Sequence, residues 1–572
     1  MILRHRPGID PNDSVALRTY LESLRGWLAN ERSSWDTQYV DLARFFLPRS
    51  PRFNYNDVDQ GYRKDYSIVD NTGTQAINVC AAGIFSAVSS PVRTWFHIKM
   101  DDEILNERPE VKEWIDEAED RLRSILIKSN FYQTILRSYQ EEILYGTTAF
   151  LIAEDPNDVI RCHPYPVGSY YISGDDSLRI DFVMRIVNMT NRQLVDRFGY
   201  KNVSDAMKSY YDSNAGGLKE QWWPVVHVIS RNSYYDYTLE SKQKPWRSVY
   251  YEMNSFNGKH GLLSQSGYDE FPVMVGRWDV TGENFYGNSP AMNALGDQMA
   301  LQLMQKRKSQ AIDKMVNPPM VGSPMLANQK ISILPGEVTF ADMRDGSPGL
   351  KPAYQIDFHI DHVMQDIAEH QKRINAALYK DMFLLNTESD RRMVTAEEIR
   401  ARQEEKMLVL GPVAERTNDE ILEPALERTM AIAMRRGLMP PLPPAMRGKK
   451  WKLEFESILA QAQRLFRTAN IDRLMAFLGT EVALNQGVLD IFDLDAMAKD
   501  YSKLLGVPAN IVRSDDGIAA IRQSRQEQIQ KQQNADNALK LAQAGKNLAA
   551  ADVGSDNALT RLMPELGQPA MA

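Results

Sequence analysis

The chain has 572 residues, too many for one hydrophobic core, so three or four domains or layers are expected. Its 67 Lys and Arg against 75 Asp and Glu give a net charge of −8, which argues against a protein that coats DNA through a basic surface. It leaves room for one that lets DNA slide past, because a strongly basic lining would hold phosphates.

No run of about eighteen apolar residues occurs, so a membrane span is not expected. No apolar segment follows Arg4, His5 and Arg6, so neither is a secretory signal. Cys80 and Cys162 are the only cysteines, too few and too far apart for a disulfide scaffold, and a reducing compartment is the default.

Residues 13–46 read as a helix with Leu17, Leu21, Leu24 and Leu28 at helical spacing, and 48–61 as a loop opened by Pro48-Arg49-Ser50-Pro51-Arg52. Residues 67–90 form an apolar helix rich in small side chains, among them Ala76, Ala81, Ala82, Gly83 and Ala87, which permit close helix approach. Two more helices follow over 109–145. From Gly146 the period changes to two. Strands are expected at 149–153, at 170–173 and 178–187 across a Gly174-Asp175-Asp176 turn, and at 225–230, 249–253 and 273–278. The region up to Arg277 is thus a mixed α+β body in a chain that is predominantly helical overall.

Two long helices grow out of that body. The first is capped by Ser289 with Pro290 at its first position, and carries Met292, Leu295, Met299 and Leu303 on one face. Lys306-Arg307-Lys308-Ser309-Gln310 then offers no apolar side, and Asn317-Pro318-Pro319 ends the helix. The return helix, about 359–383, keeps a stripe of Ile360, Val363, Met364, Ile367, Ile374, Leu378 and Met382. Between them, 321–358 reads as a small α/β knob with strand-like runs at 331–334 and 337–340. A polar break at 385–394 precedes a third helix opened by the capping box Thr395-Ala396-Glu397-Glu398. Pro412 and Pro424 lie inside that helix and predict two bends, not two ends, since periodicity resumes after each. Gly437 and the run 440–444 stop it.

Beyond the proline run, 456–468, 471–480, 493–504 and 514–548 read as helices. The last is dominated by Gln, Ala, Asn and Lys, which suits a solvated or disordered tail or a helix ordered only by assembly.

The chemistry-bearing patterns are few. Gly545-Lys546 is followed by Asn547 without the upstream glycine of a phosphate-binding loop, so ATP hydrolysis by this chain is not expected. His362, Asp366 and His370 at i, i+4 and i+8 could present a metal-ligating edge, but Asp361 and Glu369 crowd the same region. A charged, water-facing side explains them better, and no metal or other cofactor is expected. Glu110-Val111-Lys112 imitates half of a nuclease motif without an acidic partner on a preceding strand. Cys80 and Cys162 lack a local His partner and read as structural. The basic clusters Lys306-Arg307-Lys308 and Arg391-Arg392 are each explained by a solvated face. Their placement, one on a helix without a stripe and one in a loop between long helices, also lets either approach a polyanion or a neighbouring subunit.

Three stretches in order, residues 70–96, residues 283–298 with the downstream Asn317-Pro318-Pro319-Met320, and residues 395–413 running on to 420–443, resemble the portal, or head-to-tail connector, proteins of short-tailed bacteriophages. The resemblance covers nearly the whole chain and weakens after Arg525. It implies a portal-type fold: a wing from 1–284 and the bent helix and linker of 395–448, stem helices at 285–320 and 359–384, a clip at 321–358, a tunnel loop at 385–394, and a crown and tail from 449–572. It also implies a non-catalytic ring, usually of twelve subunits, at one capsid vertex of the virion, assembled from chains made in the host cytoplasm. Double-stranded DNA would be packaged and ejected through it without sequence specificity. The implied partners are the major capsid protein, the terminase large subunit that hydrolyses ATP, tail adaptor proteins and scaffolding or internal core proteins, with no membrane. Asn386, Thr387, Ser389, Arg391 and Arg392 would face the DNA, and Lys306, Arg307 and Lys308 would face the channel or a subunit interface. The competing readings are a DNA-processing enzyme of the packaging machinery and a monomeric adaptor.

Overall fold

A computed structural model describes residues 13–53, 61–106, 108–213, 216–232, 241–253, 261–322, 350–353, 360–383, 410–455, 471–477, 493–504 and 515–549. The chain divides into two compact units, Met1–Asp101 with Glu117–Gln463, and Asp102–Asp116 with Arg464–Ala572.

Helix α1 (Ser14–Phe45) begins where the Asp13 carboxylate accepts from the backbone of Val15 and Ala16, and Leu17, Leu21, Leu24 and Leu28 are all buried. Helix α2 (Thr72–Val88) is shorter than its composition suggests. Then come β1 (Phe96–Met100), α3 (Glu103–Asn106), α4 (Pro109–Lys128) and α5 (Phe131–Tyr145). Gly146 closes α5 at φ 76°, a left-handed value that glycine adopts freely, and the Gly287 carbonyl leaves no room there for a Cβ.

The β-rich part follows in order: β2 (Thr147–Asp155), β3 (Val159–Tyr165), β4 (Tyr170–Gly174), β5 (Ile180–Thr190), α6 (Asn191–Phe198), α7 (Asp205–Asp212), α8 (Gly216–Lys219), β6 (Trp222–Arg231), β7 (Trp246–Glu252), β8 (Ser264–Tyr268) and β9 (Val273–Arg277). Strands β4 to β8 make a five-stranded antiparallel meander. Because side chains alternate across a strand, Phe182, Met184, Val226, Val228, Val249 and Tyr251 share one face, and the α1 leucines cover it. Met189, Val225 and Tyr250 share the other, under Leu194 of α6 and Met207 of α7. Arg32 of α1 donates to the Tyr170 carbonyl and lies 4.1 Å over the Tyr171 ring, pinning the helix to β4.

A second sheet, ordered β3-β2-β9, packs against α5 and the long helix described from Leu410 onward. That helix passes through a π turn at Asn418–Leu422 and continues as α12 (Glu423–Arg435). Pro424 has no N–H to give the Glu420 carbonyl, and the wider turn just before it absorbs the mismatch. The chain therefore stays helical across Pro424; Pro412 is the third residue of the described helix, and what precedes Leu410 lies outside the described residues. Ile421 lies over Gly276 so closely that no Cβ would fit. Arg277 reaches Glu420 with Nε 3.1 Å from both carboxylate oxygens, and its Nη2 donates to the Leu178 carbonyl at 3.0 Å. Arg428, fully buried, donates to the Ile152 carbonyl at 2.8 Å and to Glu270 at 3.2 Å.

The other elements of the first unit are α9 (Pro290–Val316), β10 (Met320–Gly322), β11 (Leu350–Pro352), α10 (Ile360–Ala377), α11 (Lys380–Phe383) and β12 (Trp451–Phe455). The second unit carries α13 (Leu494–Leu504) and α14 (Asp515–Ala549), joined by an Arg522–Asp495 pair at 2.6 and 2.7 Å. Residues 515–549 are thus one helix, with Ile529, Leu539 and Leu541 exposed. Over the described residues the fold is mixed α and β, as expected.

Several expectations need correction. Strands β3 and β8, and the antiparallel pair of β1 with β12, were not anticipated; the partners in that last pair stand more than 350 residues apart. The stripe assigned to the first long helix is not its buried side. Met299 and Leu303 are exposed, and the buried residues are Pro290, Ala291, Ala294, Gln298, Leu301 and Gln302. The return helix is not continuous: Tyr379, at φ 56°, separates α10 from α11. Met364 on its supposed stripe is exposed.

Two adjacent glutamates on α5, Glu141 and Glu142, are buried, and Glu142 Oε1 has no hydrogen-bond partner among the described residues. Burial pushes the Glu142 carboxyl up to about 8, with neighbouring Glu420 adding to the shift and Arg416 opposing it. Burial takes Glu141 up to about 7 against the pull of Arg137. The folded chain therefore keeps two protons that the unfolded chain releases near the ordinary value of 4.5. Their contribution to stability is fully present below that value and is lost as pH rises through about 7 and then 8. Thermal melts between about pH 5.5 and 8.5 should show Tm falling with pH, and Glu142→Gln should flatten the upper part of the fall. An unaltered slope in that variant would contradict the assignment.

Candidate functional site

Of the residues singled out by the sequence, Lys306, Arg307, Lys308, His362, Asp366 and His370 lie on the two long helices, and Pro412 and Pro424 on the helix that follows them. Ser289 Oγ accepts from the Met292 N–H at 3.1 Å and donates to the Leu144 carbonyl at 2.9 Å, so one hydroxyl both caps α9 and ties it to the end of α5. At 1.5 Å per residue α9 is about 40 Å long. Its N-terminal half is held by small and polar side chains: Ala291 and Ala294 allow close approach, and Gln298 donates to the Phe45 carbonyl at 2.9 Å.

From Leu303 onward no α9 residue is buried. Lys306 and Arg307 are exposed and Lys308 half-buried, beside the exposed apolar side chains Leu303, Ile312, Met315 and Val316. Helix α10 packs back along α9, and β10 pairs antiparallel with β11 at the far end of the hairpin. The knob residues 323–349 and the tunnel-loop residues Asn386, Thr387, Ser389, Arg391 and Arg392 lie outside the described residues.

The helical series His362, Asp366 and His370 is not brought together as a ligand set. His362 and Asp366 are exposed, while His370 Nδ1 stands 2.9 Å from Asp297 Oδ1 on α9, which Arg373 also approaches at 3.7 Å. Among the described residues no group of three His, Cys, Asp or Glu side chains is close enough to hold a metal ion. Glu110-Val111-Lys112 lies in the first turn of α4. Cys80 and Cys162 are free and buried, and burial pushes both thiols up to about 12, well away from reactive thiolate chemistry. No helix among the described residues is long and apolar enough to cross a membrane.

One feature gave no signal in the sequence. Where α9 begins, α10 breaks and the helix through Pro412 passes, Trp278, Asp279, Ser289, Tyr379 and Arg416 line an open cleft of about 440 Å³. The Trp278 and Tyr379 rings lie 5.9 Å apart, and Arg416 donates to the Trp278 carbonyl at 3.2 Å. Tyr379 enters this cleft only because its backbone takes a left-handed turn that no glycine or proline marks. On the opposite side of the α10–α11 break, Phe383 fills the space over Gly83 of α2. The small-residue helix thus receives an aromatic ring from the hairpin. Among the described residues, this arrangement joins no nucleophile to a base or an oxyanion site.

Comparison with known proteins places the chain in a family. The family described as bacteriophage head to tail connecting protein matches residues 18–512. The chain is 36% identical over 544 residues to the portal protein of Salmonella phage epsilon15, spanning 95% of this chain and 97% of that one. It is 35% identical over 544 residues to the probable portal protein of Bordetella phage BPP-1, with the same coverage. A chain from the virion of a native gene transfer agent particle aligns with 72% of this chain and 86% of its own at 11% identity and a TM-score of 0.32, too slight a likeness to carry an argument. The relatives bear the name of the first reading and not that of a DNA-processing enzyme or a monomeric adaptor, and the chain belongs to the head-to-tail connecting, or portal, proteins of bacteriophages.

Proposed function

We propose that the chain is one subunit of a closed ring at a single capsid vertex, through which double-stranded DNA enters the head and later leaves it. The observation that carries this reading is the free half of the hairpin. Leu303, Ile312, Met315 and Val316 of α9 and Met364 of α10 are exposed in the single chain, although burying each would stabilise it by roughly 1 to 3 kcal/mol. Neighbouring copies, repeated around an axis, supply that burial without leaving an open end.

On this reading α9 and α10 are the stem, 321–358 the clip that docks the terminase large subunit and afterwards the tail adaptor proteins, and 385–394 the tunnel loop. The body up to residue 284, with the bent helix through Pro412 and Pro424, is the wing that meets the major capsid protein. The region after 449 is the crown, turned toward the capsid interior and its scaffolding or core proteins. The DNA is held without sequence preference, since Arg391 and Arg392 in a polar loop touch phosphates and a net charge of −8 opposes trapping them. Lys306, Arg307 and Lys308 face either the channel or the adjacent subunit. The protein is structural, and the chemistry of ATP belongs to the motor.

Replacing Leu303 and Met364 together by Glu should leave the thermal melt of the separate chain nearly unchanged and abolish ring formation in sedimentation velocity; rings that persist would remove the free hairpin from the subunit contact. Replacing Arg391 and Arg392 by Glu should leave rings intact and reduce the yield of DNA-filled heads. Loss of assembly in that variant would move the two arginines from the channel to a subunit interface.

A further inference from the structure

Both helices of the hairpin bind the segment just before α2, and both meet at Asp70. Asp70 Oδ1 accepts from the Thr72 N–H at 2.8 Å. Its Oδ2 accepts from Gln305 of α9 at 3.0 Å and from Gln371 of α10 at 2.8 Å. A third glutamine, Gln302 of α9, binds the backbone there in both directions. Its carbonyl accepts from Val69 N–H at 2.6 Å and Asp70 N–H at 2.8 Å, and its amide donates to the Asp70 carbonyl at 2.8 Å. Partial burial works to raise the Asp70 carboxyl, but the hydrogen bonds from Thr72, Gln371 and Gln305 outweigh it and hold the group below its usual range.

The position of this knot along the helices is what gives it meaning. On α9 the last buried residues are Leu301 and Gln302, and everything from Leu303 to Val316 is exposed or half-buried. On α10 residues 361–366 are exposed or half-buried, and Ile367 is the first buried one. Both helices therefore leave the body at the level of Asp70. Beyond Gln305 the last eleven residues of α9, roughly 16 Å, carry no buried side chain. The bonds at Asp70 are made by amides and one carboxylate, and water can replace each of them; within about one turn of them the helices also bury the apolar side chains of Leu301 and Ile367.

We propose that Asp70 is the pivot of the hairpin: a positioning residue that sets the tilt of α9 and α10 relative to the body through Gln302, Gln305 and Gln371, and that lets the tilt change without unfolding either helix. Its consequence for the bore of a channel rests on the reading of the hairpin as the stem. The bonds themselves do not.

Asp70→Ala removes both acceptor oxygens, which no rotation of a glutamine amide can replace. Hydrogen–deuterium exchange of the full-length chain should then be about tenfold faster over 303–316 and 360–371, while α1 and the β4–β8 sheet keep their rates. Asp70→Asn keeps an oxygen for the Thr72 N–H and offers an NH₂ that Gln305 or Gln371 can meet by turning its own amide oxygen, so it should restore slow exchange. Should Asp70→Ala fail to fold, Gln371→Ala removes one of the bonds and should produce the same local acceleration in weaker form. Unchanged hairpin exchange, a rise spread evenly over the chain, or exchange in Asp70→Asn as fast as in Asp70→Ala would overturn the pivot. If the unaltered chain never forms rings, the stem reading falls separately, and the exchange rates still judge the pivot.

Discussion

Helix α9 is about 40 Å long and is gripped by the body over only half of that length, which is the constraint that the rest of the molecule answers to. The grip is made by a close helix contact at Ala291 and Ala294 and by hydrogen bonds from Gln298 and Gln302, with Leu301 as the one large apolar side chain fully buried. Such a contact fixes direction more than it adds hydrophobic stability. The free half leaves apolar and basic side chains exposed in the single chain, and on the proposed reading neighbouring copies cover the apolar ones.

The body supplies the stiffness this arrangement needs. Its two sheets are covered by helices, and the cover over the β3-β2-β9 sheet is locked by arginines that cross from one element to another. Arg428 joins α12 to the backbone of β2, and Arg277 joins β9 to the π turn. Each arginine satisfies a backbone carbonyl and a carboxylate together, so removing either would leave buried polar groups unpaired. The π turn before Pro424 belongs to the same lock, because it carries both Glu420, which binds Arg277, and Ile421, which fills the space over Gly276.

What the sequence made legible follows from the physics that dominates each element. The α1 leucines and the alternating strands β5, β6 and β7 were readable because burial there is hydrophobic and periodic. The face of α9 was misread for the converse reason: apart from Leu301 its buried side is mostly alanine and glutamine, and apolar periodicity pointed to a side whose later members, Met299 and Leu303, are exposed. Tyr379 breaks the return helix with no glycine or proline to announce it, and β12 pairs with β1 across a separation that local patterns do not report. The Asp70 knot was hidden likewise, since its members come from three distant segments and none is apolar. The resemblance to portal proteins, by contrast, was carried by long ordered stretches, and it is the part that comparison established.

The central claim is that the exposed half of the hairpin is covered by further copies of the same chain around a closed axis. Native mass spectrometry of the purified full-length protein addresses it most directly. The account predicts one discrete closed assembly of about twelve copies with little monomer beside it. A stable monomer at concentrations where rings should form, or an open distribution of sizes without closure, would contradict it.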